Sequence, residues 1–438
     1  MDSWRYVWYL DWFASLETAA LRQRAHRRKL VRRLRLPIIP NYVKSDDDLR
    51  SLSFFERYDE FRALYPEVEL EILTDGHDAW QTKMKTLLAS GEVPDVFALQ
   101  PATLNVFHES GLFYDMAPYL AEHQDYKEGL LPGAAESMSI GDAVYGVPIN
   151  SYSEGVYYNK EILENNGLVF PKTFDELLNC CEVLSKNGIT PIAVGAKDGW
   201  PITIITQFLF DREAGYDYFQ KAITDEAATM NTPEYKKAFE DFIALRDAGA
   251  FSESALGTSE LEARSLFMQE RAVFYMTGSW DVSVFDAETD NGFNEKVAFA
   301  NFPVINGGRG DQGAACVGFG TSLCVSNKLE GKELEYALKF VEFCTNTEAA
   351  SKYMNDANAM IGSKPVDTDS TKVSDLFTMV NEVSGSATQT WAAYGDMVTP
   401  AFYQAIDTIG QKVLLGNVTA EQCVEELESA RIQFQINQ

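Results

Sequence analysis

Between residues 46 and 99 the apolar pattern switches repeatedly between helical and strand periodicity, and this alternation constrains the fold most strongly. Apolar residues spaced three and four apart predict an amphipathic helix from Asp46 to Leu64. Apolar and acidic residues alternate from Val68 to Ile72, which is typical of a strand with one solvated face. A second helical pattern, Asp78–Ser90, precedes the short apolar strand Val96–Leu99. This order predicts an α/β fold with mostly parallel sheets flanked by helices.

Two segments of this region follow predicted strands and are expected to form a ligand-binding edge. Ligands of open parallel sheets bind beyond the carboxyl ends of the strands. Thr74–Trp80 follows the first of these strands, and Gln100–Asn105 follows the second. We therefore expect Trp80 and Gln100 to contact a ligand.

Three later helices begin at recognisable capping sequences. Thr173–Glu176 and Thr419–Gln422 match the capping box, in which the side chains of the first and fourth residues bond to each other's backbone N–H groups. Thr232-Pro233 combines a cap with proline at the first helical position. These patterns predict helices that start at about residues 174, 233 and 420.

The composition excludes several classes of protein. The chain has 438 residues, enough for two or three domains, and a net charge of −28. Because phosphate binding requires a basic surface, this charge argues against a nucleic-acid partner. No apolar run is long enough for a membrane-spanning helix. The six cysteines are scattered, so we expect buried thiols and no disulfide scaffold.

Residues 1–36 differ from the rest of the chain in charge. They contain nine basic and three acidic residues, a net charge of +6. Their aromatic stretch precedes the basic residues, which is the reverse of a secretory signal, so no cleavable signal is predicted. Two interpretations stay open: a basic amphipathic element on an anionic membrane surface, or a non-native leader or frayed tail.

Motifs for catalysis, metal binding or phosphate binding are absent from the sequence. It has no HExxH, CxxC, GxSxG or Gly-Lys-Ser/Thr motif. The glycine-rich run 305–320 is interpreted as turns and close backbone approaches. We therefore predict no metal, no cofactor and no enzymatic activity. A pair of carboxylates for glycoside hydrolysis stays open, because the sequence does not reveal their separation.

Aromatic residues beside glycine and proline in loop-like segments point to the chemistry of the ligand. Aromatic faces stack on the C–H faces of sugar rings, and neighbouring carboxylate and amide groups bond to the hydroxyls. The candidate ligand-binding residues are Trp80, Gln100, Asn150, Tyr152, Glu154, Trp200, Trp280, Asp281, Trp391 and Tyr394. We predict Trp80, Trp280 and Trp391 as stacking platforms, and Gln100, Asn150, Glu154 and Asp281 as hydroxyl partners.

Several segments, taken in order, resemble one known family. They are Lys83–Val96 (KMKTLLASGEVPDV), Tyr145–Pro148 (YGVP), Tyr157–Lys160 (YYNK), Pro171–Leu177 (PKTFDEL) and Thr277–Trp280 (TGSW). This series is similar to that of extracellular solute-binding proteins of carbohydrate ABC transporters, of the maltose and multiple-sugar-binding type. The resemblance extends over about residues 46–438. Within it, Trp280 and Tyr152–Glu154 match positions that face the ligand in the family.

The resemblance implies a two-lobed fold of the type II periplasmic-binding-protein kind, with a hinge and a ligand cleft between the lobes. Lobe 1 is expected at 37–147 plus 318–362, and lobe 2 at 148–317 plus 363–438. One departure concerns the first strand, because Leu36–Val43 contains Pro37 and Pro40, which predicts a poor central strand.

The resemblance also implies a function and its partners. A monomer would bind a sugar, expected to be an oligosaccharide, and deliver it to ABC transporter permease subunits. The expected location is extracellular, as a cell-surface lipoprotein, or periplasmic. Two alternatives stay open: a solute-binding protein for a polyamine or peptide, and a glycoside-processing enzyme.

Overall fold

The computed structural model describes residues 34–39, 49–74, 77–289 and 292–436. The basic segment 1–36 therefore lies almost wholly outside the described residues. Two sheets, each with its own hydrophobic core, organise the described part of the chain. Its helices include none that combines the length and the apolar character needed to cross a membrane.

The first lobe is built around a five-stranded sheet. Its elements are β1 (Leu34–Ile39), α1 (Leu49–Leu64), β2 (Val68–Ile72), α2 (His77–Ser90), β3 (Val96–Leu99), α3 (Pro101–Phe107), α4 (Ala117–Glu122), α5 (Gln124–Gly129), β4 (Ser139–Ile140), β5 (Ala143–Val144), β6 (Val147–Pro148), β12 (Ser322–Val325), α14 (Gly331–Thr345) and α15 (Thr347–Ala357). The sheet has the order β2-β1-β3-β12-β6, and β4 and β5 pair separately. The strands and helices predicted between residues 46 and 99 are confirmed.

The first strand contradicts its prediction, because β1 lies in the sheet between β2 and β3. The carbonyl of Ile38 accepts a hydrogen bond from Leu73 N on the β2 side, at 2.8 Å. Successive residues of a strand direct their N–H groups to opposite sides, so the nitrogen of Pro37 faces β3. There β3 pairs only with Ile38 and Ile39. The missing N–H of Pro37 therefore removes no bond from the ladder.

The second lobe contains the remaining elements. They are β7 (Ser151–Asn159), α6 (Lys160–Asn165), α7 (Phe174–Lys186), β8 (Thr190–Ala193), α8 (Trp200–Glu213), α9 (Tyr216–Thr224), α10 (Pro233–Asp247), α11 (Glu260–Met268), β9 (Ala272–Gly278), α12 (Val282–Ala287), α13 (Phe293–Lys296), β10 (Val297–Ala300), β11 (Ala315–Phe319), α16 (Asp375–Ser386), β13 (Thr390–Trp391), α17 (Tyr394–Met397), α18 (Pro400–Leu415) and α19 (Ala420–Ile436). Caps at Thr173, Thr232 and Thr419 confirm the predicted starts of α7, α10 and α19.

The sheet of this lobe is mixed, and in the first sheet β12 likewise runs antiparallel to β3 and β6, so the prediction of mostly parallel strands is wrong in both lobes. Its order is β13-β11-β7-β9-β8, with β10 also beside β7. The central strand β7 runs antiparallel to β9, β10 and β11. It comes directly from the first lobe without a crossover helix, and it therefore starts where β9 ends, with Glu154 opposite Gly278.

The chain passes between the two sheets through neighbouring segments joined by backbone hydrogen bonds. Residues 149–150 connect β6 to β7, and residues 320–321 connect β11 to β12. Between these segments, Ile149 N donates to Thr321 O and Gly320 N donates to Asn150 O, both at 3.0 Å. We call this pair of segments the crossing.

A third segment, Met360–Gly362, runs along the crossing. Ser151 N donates to Met360 O at 3.1 Å, and Gly362 N donates to Pro148 O at 3.0 Å. The lobe boundaries expected from the sequence stay predictions; the one at residue 318 falls inside β11.

The glycine-rich run 305–320 packs against the end of α8, which confirms the prediction of close-approach glycines. A side chain at Gly310 would clash with the α8 backbone, and Gly310 N donates to Arg212 O at 3.1 Å. The buried guanidinium of Arg212 in turn donates to the carbonyls of Phe302 and Ala314, at 3.2 and 3.1 Å. The run is thereby fixed to α8.

All six cysteines carry free, buried thiols, so we expect them to be unreactive in the folded protein. The thiolate is the reactive form, and burial raises the pKa of Cys180 to about 11 and that of Cys423 to about 12. Titration with Ellman's reagent at pH 8 should detect no fast thiol in the native protein and all six in guanidinium chloride. A thiol that reacts as fast before unfolding as after it would contradict this prediction.

Candidate ligand-binding site

The strand β7 carries the first part of the candidate site because it begins at the crossing. Tyr152 and Glu154 are two residues apart and therefore lie on the same face of the sheet. That face packs against α8, and both side chains are buried. The carboxylate and the phenol are thus fixed immediately beside the junction of the two lobes.

Two half-buried indoles lie next to Tyr152. Trp280 follows the end of β9, where a side chain at Gly278 would clash with its ring, so the indole lies directly on the strand. Its ring centroid is 6.1 Å from that of Tyr152 and 6.1 Å from that of Trp200, at angles of 69° and 67°. Trp200 is the first residue of α8. We call Trp200 and Trp280 the aromatic pair.

A network of polar groups, all buried except the half-buried Asp396, lies behind the aromatic pair. The Tyr152 hydroxyl donates to Asp396, and the Gln207 amide and the Cys316 thiol donate to Glu154. Burial raises the pKa of Glu154 to about 8 and that of Asp396 to about 7. We call these five residues the acid network.

The acid network also holds the backbone of the segment that contains α17. Ala393 N donates to the Tyr152 hydroxyl at 2.9 Å, and Tyr394 N donates to the Gln207 side-chain oxygen at 3.0 Å. The helix α17 lies against α3 of the first lobe, which begins immediately after Gln100. The segment therefore links the acid network to the opposite lobe.

The structure brings six of the predicted ligand-binding residues to the junction of the lobes. Tyr152, Glu154, Trp200 and Trp280 lie on the second lobe, beside the start of β7. Asn150 is half-buried within the crossing. Gln100 is half-buried at the carboxyl end of β3 and accepts a hydrogen bond from Gln81 at 3.3 Å. Their contact with a ligand stays a prediction.

The other four predicted residues lie inside the lobes. Trp80 is 2% exposed in the core of the first lobe, and Trp391 is 2% exposed in that of the second. Tyr394 is fully buried and stacks on Phe219, with ring centroids 3.6 Å apart. Asp281 is fully buried and accepts hydrogen bonds from Arg264 and Thr277. In this structure the four side chains offer almost no surface to a ligand, and their contact with a ligand stays a prediction.

Four residues near the junction were not predicted from the sequence: Gln207, Asp396, Tyr403 and Asp407. The half-buried ring of Tyr403 lies against Gly395. Asp407 accepts from Thr203, and burial raises its pKa to about 6. The one sequence feature beside this region is Gly199. In the structure its backbone has a positive φ, and it lies against Asp407. Across the described ranges, no group of three or more histidine, cysteine or acidic side chains is arranged to hold a metal ion.

Comparison with known proteins identifies the family. A family model described as bacterial extracellular solute-binding protein matches residues 53–351, well over half of the chain. The chain belongs to this family. This confirms the resemblance predicted from the ordered sequence segments. The match ends before Asp396 and Tyr403, so the part of the site that they form lies outside the matched region.

Individual proteins that this chain resembles share between 23% and 28% sequence identity with it. The multiple sugar-binding protein of Streptococcus mutans is 28% identical over 317 residues, which cover 70% of this chain and 71% of that protein. An uncharacterized ABC transporter extracellular-binding protein of Pyrococcus horikoshii is 25% identical over 264 residues. The match covers 57% of this chain and 56% of that protein, little more than half of its length. The solved structure of a chitin oligosaccharide binding protein has a TM-score of 0.84 and 23% identity, covering 92% and 99%. This likeness confirms the two-lobed α/β fold.

Proposed function

We propose that this solute-binding protein binds a neutral sugar, an oligosaccharide, between its lobes and delivers it to the permease subunits of an ABC importer. The observation that carries the proposal is the half-buried aromatic pair beside the crossing. As hydroxyl partners we propose Asn150 in the crossing, Asp407 beside Gly199, and Gln100 on the first lobe. The name of the Streptococcus mutans relative supports a sugar as the ligand.

The proposal includes how the protein acts. It releases its ligand chemically unchanged, as a monomer on the outer side of the cytoplasmic membrane, attached to the cell surface or periplasmic. Membership in a family of extracellular solute-binding proteins supports this mode of action. Prolonged incubation should therefore leave a bound sugar intact, whereas a glycoside-processing enzyme would shorten it.

A polyamine is the second candidate ligand, and one observation favours it. Glu154, Asp396 and Asp407 are carboxyl groups near the junction, and within the described part of the chain no lysine, arginine or histidine is a main influence on their pKa values. Uncompensated carboxylates beside aromatic rings attract an organic cation.

A thermal-shift screen separates these candidates. A ligand at about 100 times its Kd stabilises the folded state by about 2.7 kcal/mol, which raises the melting temperature measurably. We expect at least one of maltotriose, raffinose, xylotriose and chitotriose to raise it, and spermidine and a tripeptide to leave it unchanged. Stabilisation by spermidine or the tripeptide, with no response to any sugar, would overturn the sugar assignment.

A further inference from the structure

We propose that Glu154 and Asp396 are positioning residues that hold residues 393–397 against the first lobe, and that closure of the lobes draws a proton into this pair of carboxyl groups. The inference rests on the proposed function, because it concerns the regulation of the same cleft. It goes beyond that function by assigning a role in closure to two carboxyl groups behind the aromatic pair.

Residues 393–397 are attached to the second lobe at three points. Ala393 N bonds to the Tyr152 hydroxyl, Tyr394 N bonds to Gln207, and the Asp396 carboxylate bonds to Tyr152. Gln207 is itself oriented by Glu154. Both carboxyl groups therefore act on the position of this segment through a neighbouring side chain.

The same segment lies between the lobes. Its helix α17 lies against α3, whose sequence, Pro101–Phe107, contains no charged residue. The first lobe therefore covers the segment with neutral groups and provides no counter-ion from α3. Approach of α3 removes water from the acid network without compensating its charge.

Among the described residues, no basic side chain is one of the main influences on the pKa values of the two carboxyl groups. The titratable groups that face the pair are Tyr152 on β7, Tyr216 on α9, Cys316 on β11 and Tyr403 on α18. The helix α8 contributes the uncharged amide of Gln207 and, farther along, Asp211, which acts on the Cys316 thiol and is paired with Arg212. On α18, Asp407 acts on the Tyr403 hydroxyl, so the additional carboxyl groups increase the negative charge around the pair. Two carboxylates in such a site repel each other, so one of them is favoured in its protonated form.

The direction of the pH dependence follows from burial. In the buried state the pKa of Glu154 is raised to about 8 and that of Asp396 to about 7, from ordinary values of 4.5 and 3.8. Opening admits water, and both pKa values fall towards the ordinary ones. The closed form thus binds more protons than the open form, and its population decreases as the pH rises through 7 and 8.

The test measures the distance between the lobes with and without a ligand. Cysteines are introduced at two exposed positions, Glu122→Cys on the first lobe and Glu226→Cys on the second, because the native thiols are buried. Both are spin-labelled, and the distance distribution is recorded by pulsed electron resonance from pH 6 to pH 9. We expect the ratio of closed to open molecules to fall as the pH rises from 6 to about 8, by up to about tenfold per pH unit for each linked proton, and to level off above pH 8, where both forms have lost these protons.

Substitutions assign the effect to the pair. Asp396→Asn and Glu154→Gln should each weaken the pH dependence, and the double variant should abolish it. Asp142→Asn and Glu164→Gln, which remove exposed carboxylates by the same chemical changes, should leave it unchanged. If Asp396→Asn does not fold, Tyr152→Phe serves instead, because it releases the segment while keeping both carboxyl groups. A wild-type distribution that does not change with pH, or a pH dependence that survives the double variant, would overturn the proposal.

Measurements with added sugars distinguish failure of this inference from failure of the sugar assignment. At pH 6 we expect maltotriose, raffinose or chitotriose to increase the closed population, and the effective sugar should bind more weakly at pH 9. If no sugar has any effect, the proposed function is contradicted, while the ligand-free pH series still decides the inference.

Discussion

Replacing Trp280 with alanine is expected to weaken the binding of a neutral oligosaccharide by roughly 10- to 100-fold, which corresponds to about 1.4 to 2.8 kcal/mol. Stacking of a nucleic-acid base on an aromatic side chain contributes about 1–3 kcal/mol by alanine substitution, and by analogy we expect a similar contribution from a sugar face. Trp280 is half-buried, its ring lies close against Gly278, and its centroid is 6.1 Å from that of Trp200, so its removal deletes half of the aromatic pair. Isothermal titration calorimetry with the sugar identified in the thermal screen measures the change.

The control for this prediction is Phe170→Ala. The ring of Phe170 is also half-buried, but it packs against Tyr158, at the end of β7 far from the crossing. It should alter the melting temperature without changing the affinity. Trp280→Phe should retain part of the binding free energy, because it keeps a smaller aromatic face. An unchanged Kd for Trp280→Ala, in a protein that melts as a folded chain, would remove Trp280 from the site.

The second large effect is expected on stability, from replacing Arg212 with methionine. Breaking a buried ion pair by removing one partner costs about 3–5 kcal/mol. The Arg212 guanidinium is fully buried, pairs with Asp211 at 2.5 Å and bonds to the carbonyls of Phe302 and Ala314. Methionine would fill part of the space but remove the charged donor from the Asp211 carboxyl and from both carbonyls, of which Ala314 O alone keeps the bond from the Asn301 amide. Urea unfolding followed by tryptophan fluorescence measures the loss.

Two further variants test this explanation. Arg246→Met removes a partly exposed arginine that pairs with Asp247 at 2.7 Å, and it should cost no more than about 1 kcal/mol. The double variant Asp211→Asn/Arg212→Met should be more stable than Arg212→Met alone, since the uncompensated charge is gone. If Arg212→Met unfolds at the same urea concentration as the wild type, the buried pair does not stabilise the second lobe.

The local elements of the first lobe could be predicted from the sequence because they depend on short-range periodicity. The strand Val68–Ile72 and the end of the helix at Leu64 have the predicted bounds. The central position of β1 could not be predicted, because it depends on which side of the strand Pro37 faces. That side is fixed only by the register with β2 and by the point at which β3 begins to pair.

The candidate site was partly predictable for a different reason. A tryptophan beside glycine lies in a loop, but this position does not specify the direction of its ring. The ring of Trp280 lies against Gly278 and is half-buried, whereas Trp391 belongs to β13 and its ring enters the core beside Phe208. Gln207 lies within a helix whose residues are almost all buried, where its sequence neighbours do not distinguish it from a core residue.

The position of β12 has a consequence for the way the chain reaches its native state. This strand lies between β3 and β6 in the first sheet, yet it is synthesised after every strand from β7 to β11. When residues 34–148 have been synthesised, β12, the strand that joins β3 to β6, has therefore not yet been made. The first lobe is completed only by pairing between segments that are remote along the chain, and such long-range contacts slow folding. A fragment that ends at Pro148 would expose the unpaired edge of β3, and aggregation through this edge is the expected fate of the isolated fragment.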